Sequence, residues 1–346
     1  TSHSYLYGLM HTPFVALFNS FLIFKITSLI SLLLIIYSVY VISGKDKRSL
    51  WLIALSPIVW YMAPWASPIQ LASLLFLWGW HFTNKYRGGK TKKTKENILH
   101  LFYAGVLIGL SWIFWDGALF FIPLFIISFF YNKKFLHTIY FTIFILIGSL
   151  PRIILDQVLF GFPFFTPIRH IMASLALTFL GGFYGQGSLW SAVNLVLIIV
   201  FLPIFTYLLF KKETFQENRS SAIFILLSVF LLIINSQIRF VMLIAPIIII
   251  SISKQITKKK FLVQTAISLI LIILVLNPYI LQIKWDLGID EKGVEFQSFA
   301  RNLKDVKLNE KSEKDIIRAD LNEIADEFPD KVFVVGNSAD NYRILA

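Results

Sequence analysis

Residues 28–49 read SLISLLLIIYSVYVISGKDKRS, an unbroken apolar run that ends in a cluster of basic residues. An α-helix needs about 20 mostly apolar residues to cross a bilayer, and Lys and Arg collect in the cytoplasmic loops beside such helices. Similar apolar runs recur in SAVNLVLIIVFLPIFTYLLF (191–210) and FLVQTAISLILIILVLNPYIL (261–281). The sequence therefore predicts a polytopic membrane protein.

The composition excludes an ordinary soluble domain. Hydrophobic residues make up 57% of the 346 residues and charged residues 15%, against roughly half and about 25% in typical soluble domains. The chain contains no Cys, which excludes disulfides, thiolate catalysis and Cys-ligated metals.

Polar breaks divide the apolar sequence into candidate membrane spans. We place ten of them, at 22–43, 49–64, 67–84, 98–114, 117–131, 135–151, 189–210, 221–236, 238–253 and 261–282. The predicted fold is an all-α polytopic membrane domain over residues 22–282. An external entry segment, 1–21, precedes it, and a small, incomplete extracytoplasmic α/β domain, 283–346, follows it.

The net charge of +12 is unevenly distributed along the chain. Residues 1–282 carry 22 Lys and Arg against 6 Asp and Glu, whereas residues 283–346 carry 10 against 14. Eighteen basic residues occupy alternate breaks: GKDKRS, NKYRGGKTKKTKEN, NKK, KKETFQENR and KQITKKK. Such runs can also bind nucleic acid or anionic lipid. Their regular alternation instead favours the positive-inside rule, so we expect cytoplasmic basic loops and no nucleic-acid partner.

Both ends of the chain are then expected outside the cytoplasm. The opening TSHSYLYGLMHTPF is typical of the end of an external loop, so we expect a further membrane span upstream. After Trp285, EFQSFARNL and DIIRADLNEIADEF have amphipathic helical spacing, and KVFVV is typical of a strand.

Few charged residues belong to the predicted outer face, and charged groups near a bilayer mark functional sites. Arg can clamp phosphate oxygens in bidentate fashion, and a carboxylate can act as a base or a metal ligand. This set fits chemistry on an anionic substrate at the outer leaflet, with a divalent metal left open. The substrate-binding candidates are Asp116, Arg152, Asp156, Arg169, His170 and Arg239.

Several of these residues have a purely structural alternative. Asp116 lies in a tight external turn, where an Asp commonly caps the next helix. Arg152 and Arg239 lie at the ends of predicted spans, where an Arg can snorkel towards water. His3 and His11 are predicted to be loop histidines rather than metal ligands, because no second set of potential ligands with the spacing of a metal site accompanies them.

Residues 152–188 form the longest predicted external segment of the membrane domain, and they include LDQVLFGFPFFTPIRH. The abundant Phe residues are consistent with an interfacial segment that dips into lipid. The glycines of GGFYGQGSLW are equally consistent with hinges of a flexible loop over a substrate groove.

Five motifs follow one another along residues 1–282: SYLYGLMHTPFVALFNSF, LIALSPIVWYMAPWASPIQLASLLFL, FYAGVLIGLSWIF, LDQVLFGFPFF and QIRFVMLIAPII. Together, in this order, they resemble the GT-C superfamily of polytopic glycosyltransferases, including its mannosyltransferase-like, family 39-like members.

That resemblance implies a multi-pass enzyme of a prokaryotic cell membrane. It would transfer a hexosyl or pentosyl group from a polyprenyl-phosphate-linked donor to a lipid, glycan or protein acceptor on the non-cytoplasmic face. The catalytic acid of the family lies in the first external loop, so it is expected upstream of Thr1, and no residue here takes that role. WASPIQ, where related enzymes carry an acid, contains none. By resemblance, Asp156 orients the loop or assists substrate binding, and Arg239 contacts the donor phosphate.

Two other functions stay open at this point. A transporter or flippase for a lipid-linked or small solute would place polar groups near the bilayer midplane and often shows repeated halves. A non-catalytic membrane protein would present its tail domain to a partner. The polar groups here lie at one predicted face and no internal repeat is visible, which favours the enzyme.

Overall fold

The computed structural model describes residues 5–18, 22–63, 67–88, 94–130, 135–169, 171–172, 219–234, 238–253 and 256–276. Nearly all of them are helical, and no strand occurs among them, which confirms the all-α prediction for this part of the chain. The predicted span 189–210 and the predicted α/β domain 283–346 lie outside the described residues.

The described residues form eleven α-helices. They are α1 Tyr5–Phe18, α2 Leu22–Ile42, α3 Lys47–Ala54, α4 Pro57–Met62, α5 Ile69–Gly88, α6 Thr94–Phe114, α7 Phe121–Phe130, α8 Phe135–Phe160, α9 Arg219–Ile234, α10 Val241–Ser253 and α11 Lys258–Leu276. Two 3₁₀ turns, Asp116–Phe120 and Ile238–Phe240, precede α7 and α10.

Two helices within the described ranges are long and apolar enough to cross a membrane, over Ile23–Ile42 and Phe135–Phe160. Shorter apolar helices accompany them, including Ile98–Phe114 and Val241–Ser253. These lengths are compatible with a membrane protein, because about 20 apolar residues match the hydrocarbon thickness of a bilayer.

The span predicted at 49–64 is not continuous, and this correction has a local cause. The chain forms α3, then leaves the helical conformation at Ser56, whose ψ is 126°. Pro57 follows as the first residue of α4, and the residue before a proline disfavours the helical conformation. Proline also suits the first position of a helix, because its missing N–H would have no partner there.

Glycines bring α6 and α8 into close contact. A Cβ at Gly105 would lie 2.5 Å from Cβ of Phe144, and one at Gly109 would overlap the carbonyl oxygen of Ile145. Gly148 faces Val106 in the same way. Small residues at such spacing let helix backbones approach within a membrane. Because these contacts advance together along both helices, α6 and α8 run in the same direction.

The contacts of α5 with α6 advance in opposite directions, so these two helices are antiparallel. Gly79 lies against Ala104 and Ile108, whereas Phe82, further along α5, stacks with His100 at 5.8 Å between ring centroids. This alternation of helix directions agrees with the order of the predicted spans.

Helix α10 is buried along almost its whole length and forms the centre of the described core. Just before it, Phe240 packs on Trp115 at 5.4 Å between ring centroids. Just after it, the carbonyl of Ile256 accepts a hydrogen bond of 3.1 Å from Nη1 of Arg48. The helix is about 20 Å long, at 1.5 Å per residue. The basic loops at Arg48 and Ile256 therefore lie at the end of α10 away from Trp115.

Helix α8 extends beyond its predicted end. The span was predicted to stop at residue 151, but the helix continues through Pro151 to Phe160. Arg152 and Asp156 therefore lie inside a helix rather than in the external loop predicted at 152–188. Proline removes one backbone hydrogen bond, and neighbouring helices can compensate for that loss in an apolar bundle.

The entry segment predicted as an external loop at 1–21 also contains a helix, α1. His11 is buried in it, so the prediction of a loop histidine was wrong. Its Nδ1 lies 2.7 Å from the carbonyl oxygen of Tyr7 and its Nε2 lies 2.9 Å from the hydroxyl of Thr27. The imidazole ring of His11 also stacks on Phe24, so this residue joins α1 to α2.

Candidate functional site

Three of the predicted site residues form one buried ion cluster. Nη2 of Arg152 lies 3.0 Å from Oδ1 of Asp116 and 3.1 Å from Oδ2. Nε of the same guanidinium lies 3.6 Å from Oδ1 of Asp156, one turn along α8. The exposed fraction is 0% for Arg152, 1% for Asp116 and 0% for Asp156. These residues were predicted to lie on the outer face, in an external turn, at the end of a span and in an external loop, and they meet in the interior instead.

The packing of α6 on α8 brings the cluster together. Gly109 and Gly148 hold the two helices close, and Arg152 lies one turn after Gly148 on α8. Helix α6 ends at Phe114, and the 3₁₀ turn that follows begins with Asp116. Because α6 and α8 are parallel and close together, the carboxylate of Asp116 faces the guanidinium of Arg152.

A small residue is required at Gly117 for the turn to fold in this way. A Cβ at this position would overlap the indole of Trp115 and lie 2.8 Å from the ring of Phe240. Trp115 has extended backbone angles and takes the N-cap position without a side-chain capping bond. Asp116 is the first residue of the 3₁₀ turn and pairs with Arg152, so the alternative of an Asp116 cap was wrong.

Asp156 joins the cluster to the segment that follows α8. Its Oδ2 accepts a hydrogen bond of 3.0 Å from the backbone N–H of Thr166, and its Oδ1 accepts a bond from the Thr166 hydroxyl. The chain turns between them at Gly161, whose φ of +69° is a conformation that favours glycine. Asp156 thus fixes the start of the helical turn at 165–169.

Burial dominates the electrostatics of Asp116, which lies in the turn between α6 and α7. Burial raises the pKa of its carboxyl, the Arg152 guanidinium lowers it and the nearby Asp156 raises it, and the net result is a pKa of about 6. The physical basis is the penalty for a charge removed from water, added to the repulsion between two carboxylates.

Arg239 lies in the 3₁₀ turn before α10 and is half-buried. Its neighbour Phe240 packs on Phe121 at 5.6 Å between ring centroids as well as on Trp115. The guanidinium is within electrostatic range of the hydroxyl of Tyr61 on α4. The side chain therefore combines partial exposure with a fixed position at this end of α10.

The remaining candidates are more remote or lie outside the described residues. Arg169 is exposed on the helical turn at 165–169, where Phe165 and Ile168 are exposed on the same side. His170 and His3 lie outside the described residues.

Thr166 was not recognised as part of the site from the sequence. Its relation to Asp156 depends on the turn at 161–164, and the nearest signal was the Gly and Pro of FGFPFF. The buried aromatic residues Trp115 and Phe240 were likewise not assigned to the site. Their role follows from the close packing around Gly117.

The described residues contain no group of three or more His, Asp or Glu that could hold a metal ion. The two carboxylates of the cluster face a guanidinium, which repels a cation. The sequence left a divalent metal open, and that question stays open.

Comparison with known proteins found no matching family model, no matching curated protein and no matching solved structure. The resemblance to GT-C glycosyltransferases therefore stays a prediction that rests on local sequence motifs. The geometry of the ion cluster is a separate observation.

Proposed function

We propose that this chain is the membrane domain of a glycosyltransferase that uses a polyprenyl-phosphate-linked sugar donor. The observation that carries the proposal is the gathering of Asp116, Arg152, Asp156 and Arg239 at one end of α10, away from the basic loop at Arg48. A separation of basic loops from a charged site is what an enzyme working at the outer face of a membrane requires.

The cluster supports the reaction by positioning. Arg152 is enclosed, donates a hydrogen bond to Asp116 and pairs with Asp156, so its guanidinium is not offered to a donor phosphate. Arg239 is half-buried in the turn before α10, and its planar donors suit a phosphate. We therefore assign phosphate contact to Arg239 and support of the outer segment to Arg152 and Asp156.

The chemical step would be a direct displacement at the anomeric carbon of the donor. The acceptor hydroxyl attacks, its proton passes to an acidic base, and the carrier phosphate leaves with the bonding electron pair. Arg239 would stabilise the negative charge that develops on that phosphate. The acceptor is a lipid, a glycan or a protein.

The test is binding of a radiolabelled polyprenyl-phosphate sugar by the full-length protein in nanodiscs. Arg239→Ala should weaken donor binding about 10-fold to 100-fold, the equivalent of one charged hydrogen bond. Arg239→Lys should retain part of the donor affinity that Arg239→Ala loses. Arg48→Ala is the matched control, because Arg48 lies at the other end of α10. Unchanged affinity in Arg239→Ala, or a donor that does not bind at all, would reject the proposal.

A transporter or flippase is the second candidate, and one observation favours it. The ion pair of Arg152 with Asp156 lies inside the 26-residue helix α8, next to Pro151. Charges inside a helix of bilayer length commonly mark a transport pathway. The two functions separate in one assay: a glycosyltransferase yields a sugar-modified acceptor in detergent solution, whereas a transporter needs a sealed vesicle and leaves its solute unmodified.

A further inference from the structure

The buried cluster contains two carboxylates and one guanidinium. Asp116, Arg152 and Asp156 are all at most 1% exposed. If all three were ionised, these three groups would together carry a net charge of −1 in the interior. Ionisable groups in such an environment change protonation state instead of keeping an unpaired charge.

The two carboxylates are not equally well supplied with donors. Asp156 receives the backbone N–H and the hydroxyl of Thr166, with Nε of Arg152 at 3.6 Å. Asp116 has Nη2 of Arg152, which donates to its Oδ2. Oδ1 of Asp116 is close to the same nitrogen but accepts no hydrogen bond from the described residues. A proton is therefore accommodated best at Oδ1 of Asp116.

We propose that Asp116 is a proton-binding site of the helix bundle. A proton from water bonds to Oδ1 and leaves a neutral cluster that consists of the Asp116 carboxylic acid, the Arg152 guanidinium and the Asp156 carboxylate. The direction of the Asp116 pKa, raised by burial, agrees with this geometry. The inference does not depend on the proposed glycosyltransferase activity.

A proton suits this site better than a metal cation. The guanidinium nitrogen lies within 3.1 Å of both oxygens of Asp116, so a cation would meet a positive charge there. The described residues also provide no third carboxylate or imidazole for coordination. A proton needs only one oxygen and adds almost no volume.

Within the described ranges, few other titratable or charged groups lie around Asp116. Helix α8 contributes Arg152 and Asp156, and the turn before α10 contributes Arg239, beside Phe240. Helix α7 has no titratable side chain. The titratable residues of α6 with described side chains, His100 and Tyr103, lie more than ten residues before its end, and α1 contributes the buried His11 and Tyr7.

Isotope-edited infrared spectroscopy tests the proposal on the native protein. The full-length chain, labelled with ¹³C at the Asp side-chain carboxyls, is titrated in nanodiscs between about pH 4 and about pH 8. Exposed Asp side chains lose their protons near pH 4. We expect an additional Asp carboxylic acid band that disappears with a midpoint of about 6. The absence of any such band above about pH 5 would overturn the proposal.

Variants identify the residue responsible for the band. Asp116→Asn should abolish it. Asp156→Asn should move the midpoint of the band to lower pH, because the Asp116 carboxylate then keeps the Arg152 guanidinium and is no longer repelled by a second carboxylate. Asp46→Asn is the control: Asp46 caps α3 and lies on the same loop as Arg48. If Asp116→Asn does not fold, the Asp156→Asn shift still decides the matter, and an unchanged midpoint would reject Asp116 as the site.

A second titration separates proton binding from cation binding. Sodium and potassium are exchanged for a large organic cation at constant ionic strength. A proton site keeps its midpoint unchanged, whereas a cation that competes for Oδ1 lowers the midpoint as its concentration rises. A dependence on the alkali cation would overturn the assignment.

Discussion

Nη2 of Arg152 on α8 donates a hydrogen bond of 3.1 Å to Oδ2 of Asp116, 36 residues earlier in the chain, and both side chains are buried. This bond links the turn that follows α6 to the interior of α8, and glycines already hold these two parallel helices close. A buried ion pair adds little net stability, but the loss of one partner leaves the other charge buried and unpaired. The pair therefore makes the bundle sensitive to substitution at either residue.

Replacement of Arg152 by Met should destabilise the protein by about 3–5 kcal/mol, because the buried carboxylate of Asp116 would lose the guanidinium that donates to it. The measurement is the unfolding temperature or denaturant midpoint of the purified protein in detergent. Arg169→Met is the matched control, since Arg169 is exposed. It should change stability by no more than about 0.5 kcal/mol. Equal effects of the two variants would show that the cluster does not stabilise the fold.

Replacement of Gly109 by Ala should also destabilise the protein, because the added Cβ overlaps the carbonyl oxygen of Ile145 on α8. The helices must separate, at an expected cost of about 1–3 kcal/mol. Gly8→Ala is the control: its Cβ would meet no atom within 4 Å. Alanine favours a helix by about 1 kcal/mol over glycine, so the control should be stabilised. In thermal unfolding, the unfolding temperature should fall for Gly109→Ala and rise for Gly8→Ala.

The helical class could be predicted from the sequence. Apolar runs of bilayer length leave few other structures, because buried backbone groups must bond within the chain. The close approach of α6 to α8 was not predicted. FYAGVLIGLSWIF contributed only one of the motifs of the family resemblance, although its Gly105 and Gly109 lie where α6 meets α8.

The meeting of Asp116 with Arg152 could not be predicted, because it depends on packing between distant segments. Pro151 suggested the end of a helix, and the span was therefore closed one residue before Arg152. In the structure the helix continues to Phe160. The partner of Asp156, Thr166, depends on a turn at Gly161 with a positive φ. Glycine permits such a turn but does not specify it.

Replacement of Thr166 by Val should loosen the segment that follows α8. The hydroxyl bond to Asp156 would be lost, although the bond from the backbone N–H is retained. A hydrogen bond to a charged group contributes about 1.5–3 kcal/mol. Hydrogen exchange of the amides in 161–169 should accelerate accordingly.

Thr142→Val is the control for that experiment, because its hydroxyl bonds back to the carbonyl of Thr138 within α8. It should leave exchange in 161–169 unchanged. If Thr166→Val behaves like Thr142→Val, then Asp156 does not hold this segment.

The stability of the protein should fall as the pH rises from about 4 to about 6, relative to the Asp116→Asn variant. Burial raises the Asp116 pKa to about 6 in the folded state, above the ordinary Asp value near 4. The folded protein then binds the proton more tightly than the unfolded chain, so this contribution is complete below about pH 4 and is lost as the pH passes through 6. This contribution to the free energy of unfolding is on the order of 2–3 kcal/mol. Unfolding temperatures of the native protein and the variant, measured in parallel across this range, give the difference directly, and a difference independent of pH would contradict the raised pKa.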